Sequence, residues 1–422
     1  MARLYQTLDR YLFSESEDQP GYSEDRRWWI RGPASTILSI CRAVWLICTS
    51  SWTTLLLLCG PLALALDAAH IGSPANVFIA WLGTLPLAAY CRYASELISV
   101  RLPSGASLAY QSTLAPYSLD LELALIALFC GQERLVKQYM VGKVVTTLLL
   151  TLGLSYSISG IFREGTVFNQ TAVSTLSALL AAGITILSIA SFLGQVVDHH
   201  RDPQWRHSVD RLLCTAAAIV LLLLYVAWRY FRHLSHSRLW DVEYDPDSVP
   251  SAQLRDTDRR RRSPIGLPAC VITILLAGWY GFYLSQLMLP SPDSGKDQTQ
   301  VTTLVGFTLL PILPEVAEVG SLWSLAVSGR MDIALEAAAG TSVQNIYVTI
   351  PLLCLFGQAR GIFGLLALDT FSLILLWVGV WIFAGLVADG KGNYLKGAAS
   401  IALYLIMLWA LYCGGAGIGE KE

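Results

Sequence analysis

Charge is scarce in this chain. Asp, Glu, Lys and Arg make up 14% of its 422 residues, against about 25% in soluble globular domains, which excludes a water-soluble fold. The formal net charge is −2, and no stripe interleaves basic with aromatic residues, so the sequence suggests no nucleic-acid partner. Nothing matches the H-E-x-x-H zinc motif, a diphosphate-binding D-D-x-x-D run or a membrane aspartyl-protease pattern, so the chain reads as a transporter and not an enzyme. The nine cysteines, among them Cys59, Cys130, Cys214 and Cys354, form no C-x-x-C pair and fall almost entirely within apolar segments. They are expected to pack as thiols, with no disulfide framework. A clustered His/Cys set is missing as well, which argues against a soft-metal site. No cleavable signal peptide and no cofactor are expected, and nothing speaks to oligomeric state.

Apolar length is abundant. Hydrophobic residues make up 54% of the chain and the mean hydropathy is +0.52, so the lipid bilayer is the expected solvent. A polar stretch runs to about Pro33, with an acidic run from Glu15 to Asp18 and then Arg26-Arg27-Trp28-Trp29, an interface anchor. Residues 34–50 are apolar but contain Arg42, and are read as an interfacial helix or an extension of the first span. Spans of about 20 residues are expected at 51–68, 74–94, 107–130, 137–160, 172–194, 211–231, 266–288, 302–327, 332–356, 364–388 and 394–414. The expected fold class is an all-α polytopic membrane protein of about eleven transmembrane helices.

The domain plan expected from this pattern has four parts. Residues 1–50 form a cytosolic tail and interfacial helix, and 51–231 a first membrane half. Residues 232–265 form a cytosolic loop carrying Asp241, Glu243, Asp245, Asp247 and the basic run Arg259 to Arg262, and 266–422 a second half. The positive-inside rule puts the N-terminus in the cytosol. On that topology the sequon Asn169-Gln170-Thr171 faces the cytosol and is expected to be unmodified.

A carboxylate recurs in the same local frame 198 positions apart (318 − 120): Pro116-Tyr117-Ser118-Leu119-Asp120 and Pro314-Glu315-Val316-Ala317-Glu318. Gly131 matches Gly329, and Gly142 matches Gly340, at the same offset. The repeats cover about 107–160 and 302–356. Asp120 falls in the third expected span and Glu318 in the eighth. An odd displacement turns the second copy over, giving a 1 + 5 + 5 plan with inverted-topology repeats, a recurring transporter architecture.

Carboxylates in hydrocarbon are costly and by default mark an ion or substrate pathway. Glu315 and Glu318 lie three apart, on one helical face. With Thr146, Thr147, Thr341, Ser342, Gln344 and Asn345, and carbonyls freed by proline, they make an oxygen-rich set suited to a hard cation such as calcium. Asp120 and Glu318 are the candidate calcium ligands. The same acids can carry protons, because a bound cation and a proton compete for one carboxylate. The plainer alternative is that they only hydrogen-bond helix to helix. Lys143, at the register of Thr341, either pairs with an acid as a built-in cation or snorkels to the interface. Tyr117, beside Asp120, is a second site-modulating candidate.

The stretch Leu309-Leu310-Pro311-Ile312-Leu313-Pro314-Glu315-Val316-Ala317-Glu318 resembles the second α-repeat of the cation/calcium exchanger superfamily. The resemblance is to its vacuolar calcium/proton exchanger branch, which has L-L-P-I-V-G-N-A-A-E-H there. Met331-Asp332-Ile333-Ala334-Leu335 and Gly340-Thr341-Ser342-Val343-Gln344 continue the likeness. The resemblance implies an eleven-helix exchanger of an acidic organelle such as the vacuole, moving calcium out of the cytosol in return for protons. Its essential glutamates align with Asp120 and Glu318. This chain departs from the pattern at Pro116-Tyr117, at Lys143 in the family's G-S-x-x-S-N, and at Pro314-Glu315 in place of Gly-Asn. Three functions remain open at this point: a calcium/proton antiporter with an altered site, an exchanger of another cation, and a non-transporting paralogue acting as scaffold or sensor.

Overall fold

The computed structural model describes residues 56–69, 74–102, 110, 118–162, 166–198, 203–236, 267–289, 301–328, 330–362 and 364–418. The N-terminal tail, Pro116, Tyr117, Gly329 and most of the 232–265 loop lie outside them. Nearly all described residues are helical, as lipid requires, because a spanning helix satisfies its own backbone polar groups. Among the described residues, eight helices are long and apolar enough to cross a membrane, and Cys59–Ala68 and Val301–Val316 are shorter apolar helices.

The chain groups into two compact units, Met1–Leu123 with Tyr244–Met288, and Ala124–Glu243 with Leu289–Glu422. In the first unit α1 (Cys59–Ala68) and α2 (Pro74–Arg101) cross at glycines. A Cβ on Gly83 would stand 2.7 Å from the Gly60 nitrogen, so only small residues let these backbones meet. Helix α2 runs seven residues past the expected end at 94, because Arg92 and Glu96 pair one turn apart along it (3.3 Å). Its Tyr93, Ala94, Leu97 and Ile98 pack with Cys270. The helix α3 (Ser118–Phe129) follows. Asp120 lies in the first turn of this described helix.

The second unit is built around two long helices, α4 (Glu133–Phe162) and, later in the chain, Met331–Ala359. Between them come α5 (Gln170–Asp198) and α6 (Pro203–Tyr230), α7 (Leu267–Leu287) of the first unit, and α8 (Leu310–Ser328). Met331–Ala359 is α9, and α10 (Thr370–Val387) and α11 (Tyr394–Ile418) complete the order. A two-residue ribbon pairs β1 (Thr166–Val167) with β2 (Lys391–Gly392) in antiparallel register. Leu405, Ile406 and Trp409 on α11 and Leu223 and Val226 on α6 are exposed, as lipid-facing residues should be. The Asn169 carboxamide oxygen caps α5 by accepting from the Ala172 amide (3.2 Å), a structural use for the sequon asparagine.

The repeat offset is visible in the backbone. α4 starts at Glu133 and α9 at Met331, 198 apart. The residues before them share a conformation, Gln132 at φ −91°, ψ 60° and Arg330 at φ −88°, ψ 56°. Each helix then widens into a π-turn, Thr146–Thr151 in α4 and Asn345–Thr349 in α9. The i→i+5 bonds correspond as well: Leu152 N–H donates to the Thr147 carbonyl, and Ile350 N–H to that of Asn345. Such wide turns concentrate at functional sites.

One expected boundary was placed too early. The tenth span was expected from 364, but α10 begins at Thr370, with Asp369 as N-cap accepting from the Ser372 amide (3.0 Å). Gly361 and Gly364 before it have φ of +79° and +76°, left-handed values that end a helix. Leu365, Leu366 and Leu368 misled because this loop is buried. Its backbone is satisfied by side chains: Ser191 donates to the Leu366 carbonyl (2.5 Å) and accepts from the Leu368 amide (3.3 Å), and Lys137 donates to the Ala367 carbonyl (3.2 Å).

Candidate functional site

The buried polar chemistry of the second unit lies where α8 meets the π-turn of α4. Helix α8 continues through Pro314 and carries Glu315, which is 3% exposed. Its carboxylate accepts three hydrogen bonds from α4: Lys143 Nζ donates to Oε1 at 2.9 Å, Thr147 Oγ1 to Oε1 at 2.6 Å, and Thr151 Oγ1 to Oε2 at 2.5 Å. Lys143 is equally buried. Of the two placements open from the sequence, the ammonium is paired with an acid and does not snorkel. Charge-assisted bonds of this kind are roughly twice as strong as neutral ones, and desolvation of both charges offsets much of that gain.

Close backbone approach holds the pair in place. A Cβ on Gly142 would lie 2.2 Å from the Phe307 carbonyl oxygen, so only glycine lets α4 touch the π-turn Val305–Leu309 that leads into α8. The corresponding Gly340 meets nothing within 4 Å among the described residues.

The remaining sequence candidates divide. Thr147 joins the Glu315 cluster, and also lies 2.9 Å from the Lys143 carbonyl. Thr146 turns the other way, to the Tyr404 hydroxyl at 3.1 Å. Asn345 is buried on α9 and donates to the Met140 carbonyl (3.4 Å). Ser342 and Thr341 donate back to the Ala338 and Ala337 carbonyls (3.2 and 2.8 Å). Gln344 is buried. Asp120 and Glu318 are placed on α3 and α8, but their side chains, like Tyr117, lie outside the described residues.

Two partners of these residues escaped the sequence reading, Thr151 in the Glu315 cluster and Tyr404 beside Thr146. Thr151 carried a signal, since Lys143, Thr147 and Thr151 recur every four residues, a stripe on one helical face. Tyr404 carried none, because it arrives from the C-terminal helix. Among the described residues no group of three or more His, Cys, Asp or Glu side chains could hold a metal ion. The available donors are carboxylate, hydroxyl, amide and carbonyl oxygens, the chemistry of hard cations.

The family model described as "Sodium/calcium exchanger protein" matches residues 270–413. A "Vacuolar calcium ion transporter" of Schizosaccharomyces pombe is 27% identical over 367 residues, covering 86% of this chain and 85% of that protein. A "Ca(2+)/H(+) antiporter" of Aphanothece halophytica is 27% identical over 366 residues, covering 85% of this chain and 95% of that protein. The solved structure of native YfkE superposes with a TM-score of 0.64 at 21% identity, covering 86% of this chain and all of that one. The fold is the same.

Proposed function

We infer that the chain belongs to the cation/calcium exchanger superfamily, in its vacuolar calcium/proton exchanger branch, and from that premise that it is a secondary active antiporter exchanging calcium for protons across the membrane of an acidic organelle. The observation that carries this reading is the extent of the likeness. It runs over 85–86% of the chain with relatives named for calcium transport and Ca(2+)/H(+) antiport, and both copies of the repeated acid frame fall within it. The scaffold-or-sensor alternative has no observation of comparable weight behind it.

The proposed cation-binding acids are Asp120 and Glu318, one in each repeat. Ser342, Thr341 and Gln344 on α9 and Thr146 on α4 offer further oxygen ligands. A carboxylate in a low-dielectric setting favours its protonated form until a cation arrives, and the cation then favours the ionised form. Calcium and protons therefore exclude one another at the same acid, and a gradient of one drives the other. The ammonium of Lys143 neutralises Glu315, so that carboxylate adds no net charge to cation binding. In the proposed setting the N-terminus is cytosolic, the membrane is vacuolar, and calcium leaves the cytosol.

The test is calcium uptake by purified protein in proteoliposomes with an acid interior, wild type against Glu318→Gln. Uptake that requires the proton gradient and disappears in the variant is the expected result. Wild-type vesicles that take up no calcium under the gradient would refute the exchange, and unchanged uptake by Glu318→Gln would refute the assignment of the acid.

A further inference from the structure

The Glu315 cluster has the donor set of a small cation site, and its cation is covalently attached. Two carboxylate oxygens and the hydroxyls of Thr147 and Thr151 converge within 2.5–2.9 Å bonds, with the Lys143 ammonium on Oε1. All four side chains are buried. The contact between Gly142 and the Phe307 backbone fixes the lysine one residue from the point where α4 meets the approach to α8, so the ammonium is held at this acid. At the matching register α9 carries Thr341, Asn345 and Thr349, a stripe of the same spacing with no charge. Stability alone does not account for the difference, since buried ion pairs add little net stability over apolar replacements.

We propose that Lys143 is a resident cation: it permanently fills an oxygen-lined site at Glu315, Thr147 and Thr151, closes that site to calcium, and so limits how many free cations the chain binds. The proposal deepens the exchanger reading and rests on it, but its test counts bound ions and does not require transport. Removing the ammonium leaves a buried carboxylate that must acquire a new positive partner or a proton, and alkaline pH favours the metal ion over the proton.

The experiment is equilibrium dialysis of the purified full-length protein in detergent against radioactive calcium at alkaline pH. Lys143→Ser, which shortens the side chain and supplies one more hydroxyl, is expected to bind one more calcium per chain than wild type. Lys143→Ser combined with Glu315→Gln is expected to return to the wild-type count. A folded Lys143→Ser protein with the wild-type count would overturn the proposal, as would an extra ion that persists in the double variant. Should Lys143→Ser not fold, the neutral pair Lys143→Met with Glu315→Gln still decides. An unchanged count supports the proposal, whereas a lower one means that Glu315 already holds a free ion and overturns it. Wild-type protein that binds calcium but fails to exchange it in vesicles would refute the transport reading and leave the ion count intact.

Discussion

Helices α4 and α9 share a backbone and differ in chemistry. Both start after a residue near φ −90°, ψ 58°, and both widen at the same register. Yet α4 aims an ammonium and two hydroxyls at a buried glutamate, while α9 turns Thr341 and Ser342 back onto its own carbonyls. Duplication preserved the features set by local geometry, the helix start and the π-turn. It did not preserve the side chains that decide what binds. On α4 the stripe Lys143, Thr147 and Thr151 carries a buried ammonium, and on α9 the matching Thr341, Asn345 and Thr349 carry no charge.

The sharpest way to break this comparison is through the acids. Glu318→Gln is expected to reduce proton-driven calcium uptake to background, whereas the neutral pair Lys143→Met with Glu315→Gln should leave uptake near wild type. Vesicle flux assays on the same preparations would show whether the closed cluster is a bystander to transport.

Next in size is the pair itself. Lys143→Met or Glu315→Gln alone strands a buried charge and should lower stability by about 3–5 kcal/mol, and the two together should recover most of that loss. Thermal unfolding in detergent of the four proteins gives the coupling directly.

The two glycines of the repeat provide a smaller contrast. At position 142 a Cβ meets the Phe307 carbonyl at 2.2 Å, so Gly142→Ala should cost about 1–3 kcal/mol by overpacking. At 340 no described atom lies within 4 Å, so Gly340→Ala should be neutral or stabilise by up to about 1 kcal/mol through helix propensity. Equal losses at both positions would erase the asymmetry that the packing implies.

The smallest effect lies outside the membrane. Between α10 and α11, Asp389 pairs with Lys396 and accepts from the Lys391 amide (3.2 Å). The Lys396 hydrogen bond, then the Lys391 amide and the lysine charge, hold this carboxyl below its usual range. A depressed acid contributes stability above its unfolded value, about 3.9, and loses it as pH falls through the lower folded value. Asp389→Asn should therefore remove less than about 1 kcal/mol at neutral pH and nothing once both states are protonated. Unfolding midpoints measured from neutral to strongly acidic pH would show the difference vanish.

How much of this was legible in the sequence follows from the range of each interaction. The repeat could be read because glycine and acid spacing is local, whereas the helix starts, expected at 137 and 332, lie at Glu133 and Met331. The onset of α10 was hidden because Leu365, Leu366 and Leu368 are apolar for a loop that is buried, although Gly361, Gly364 and the Asp369 cap were in plain view. The choice of partner for Lys143 could not be read, since Glu315 lies 172 residues away and Asp120 and Glu318 were equally available by charge. Tyr404 reaches Thr146 across 258 residues, a contact that only tertiary packing creates.

The most direct test of the account records calcium entry and internal pH together in proteoliposomes. It predicts calcium entry coupled to proton exit in wild type and in Lys143→Met with Glu315→Gln, and neither flux in Glu318→Gln. Coupled fluxes that survive Glu318→Gln, or that vanish when the Lys143–Glu315 pair is neutralised, would contradict it.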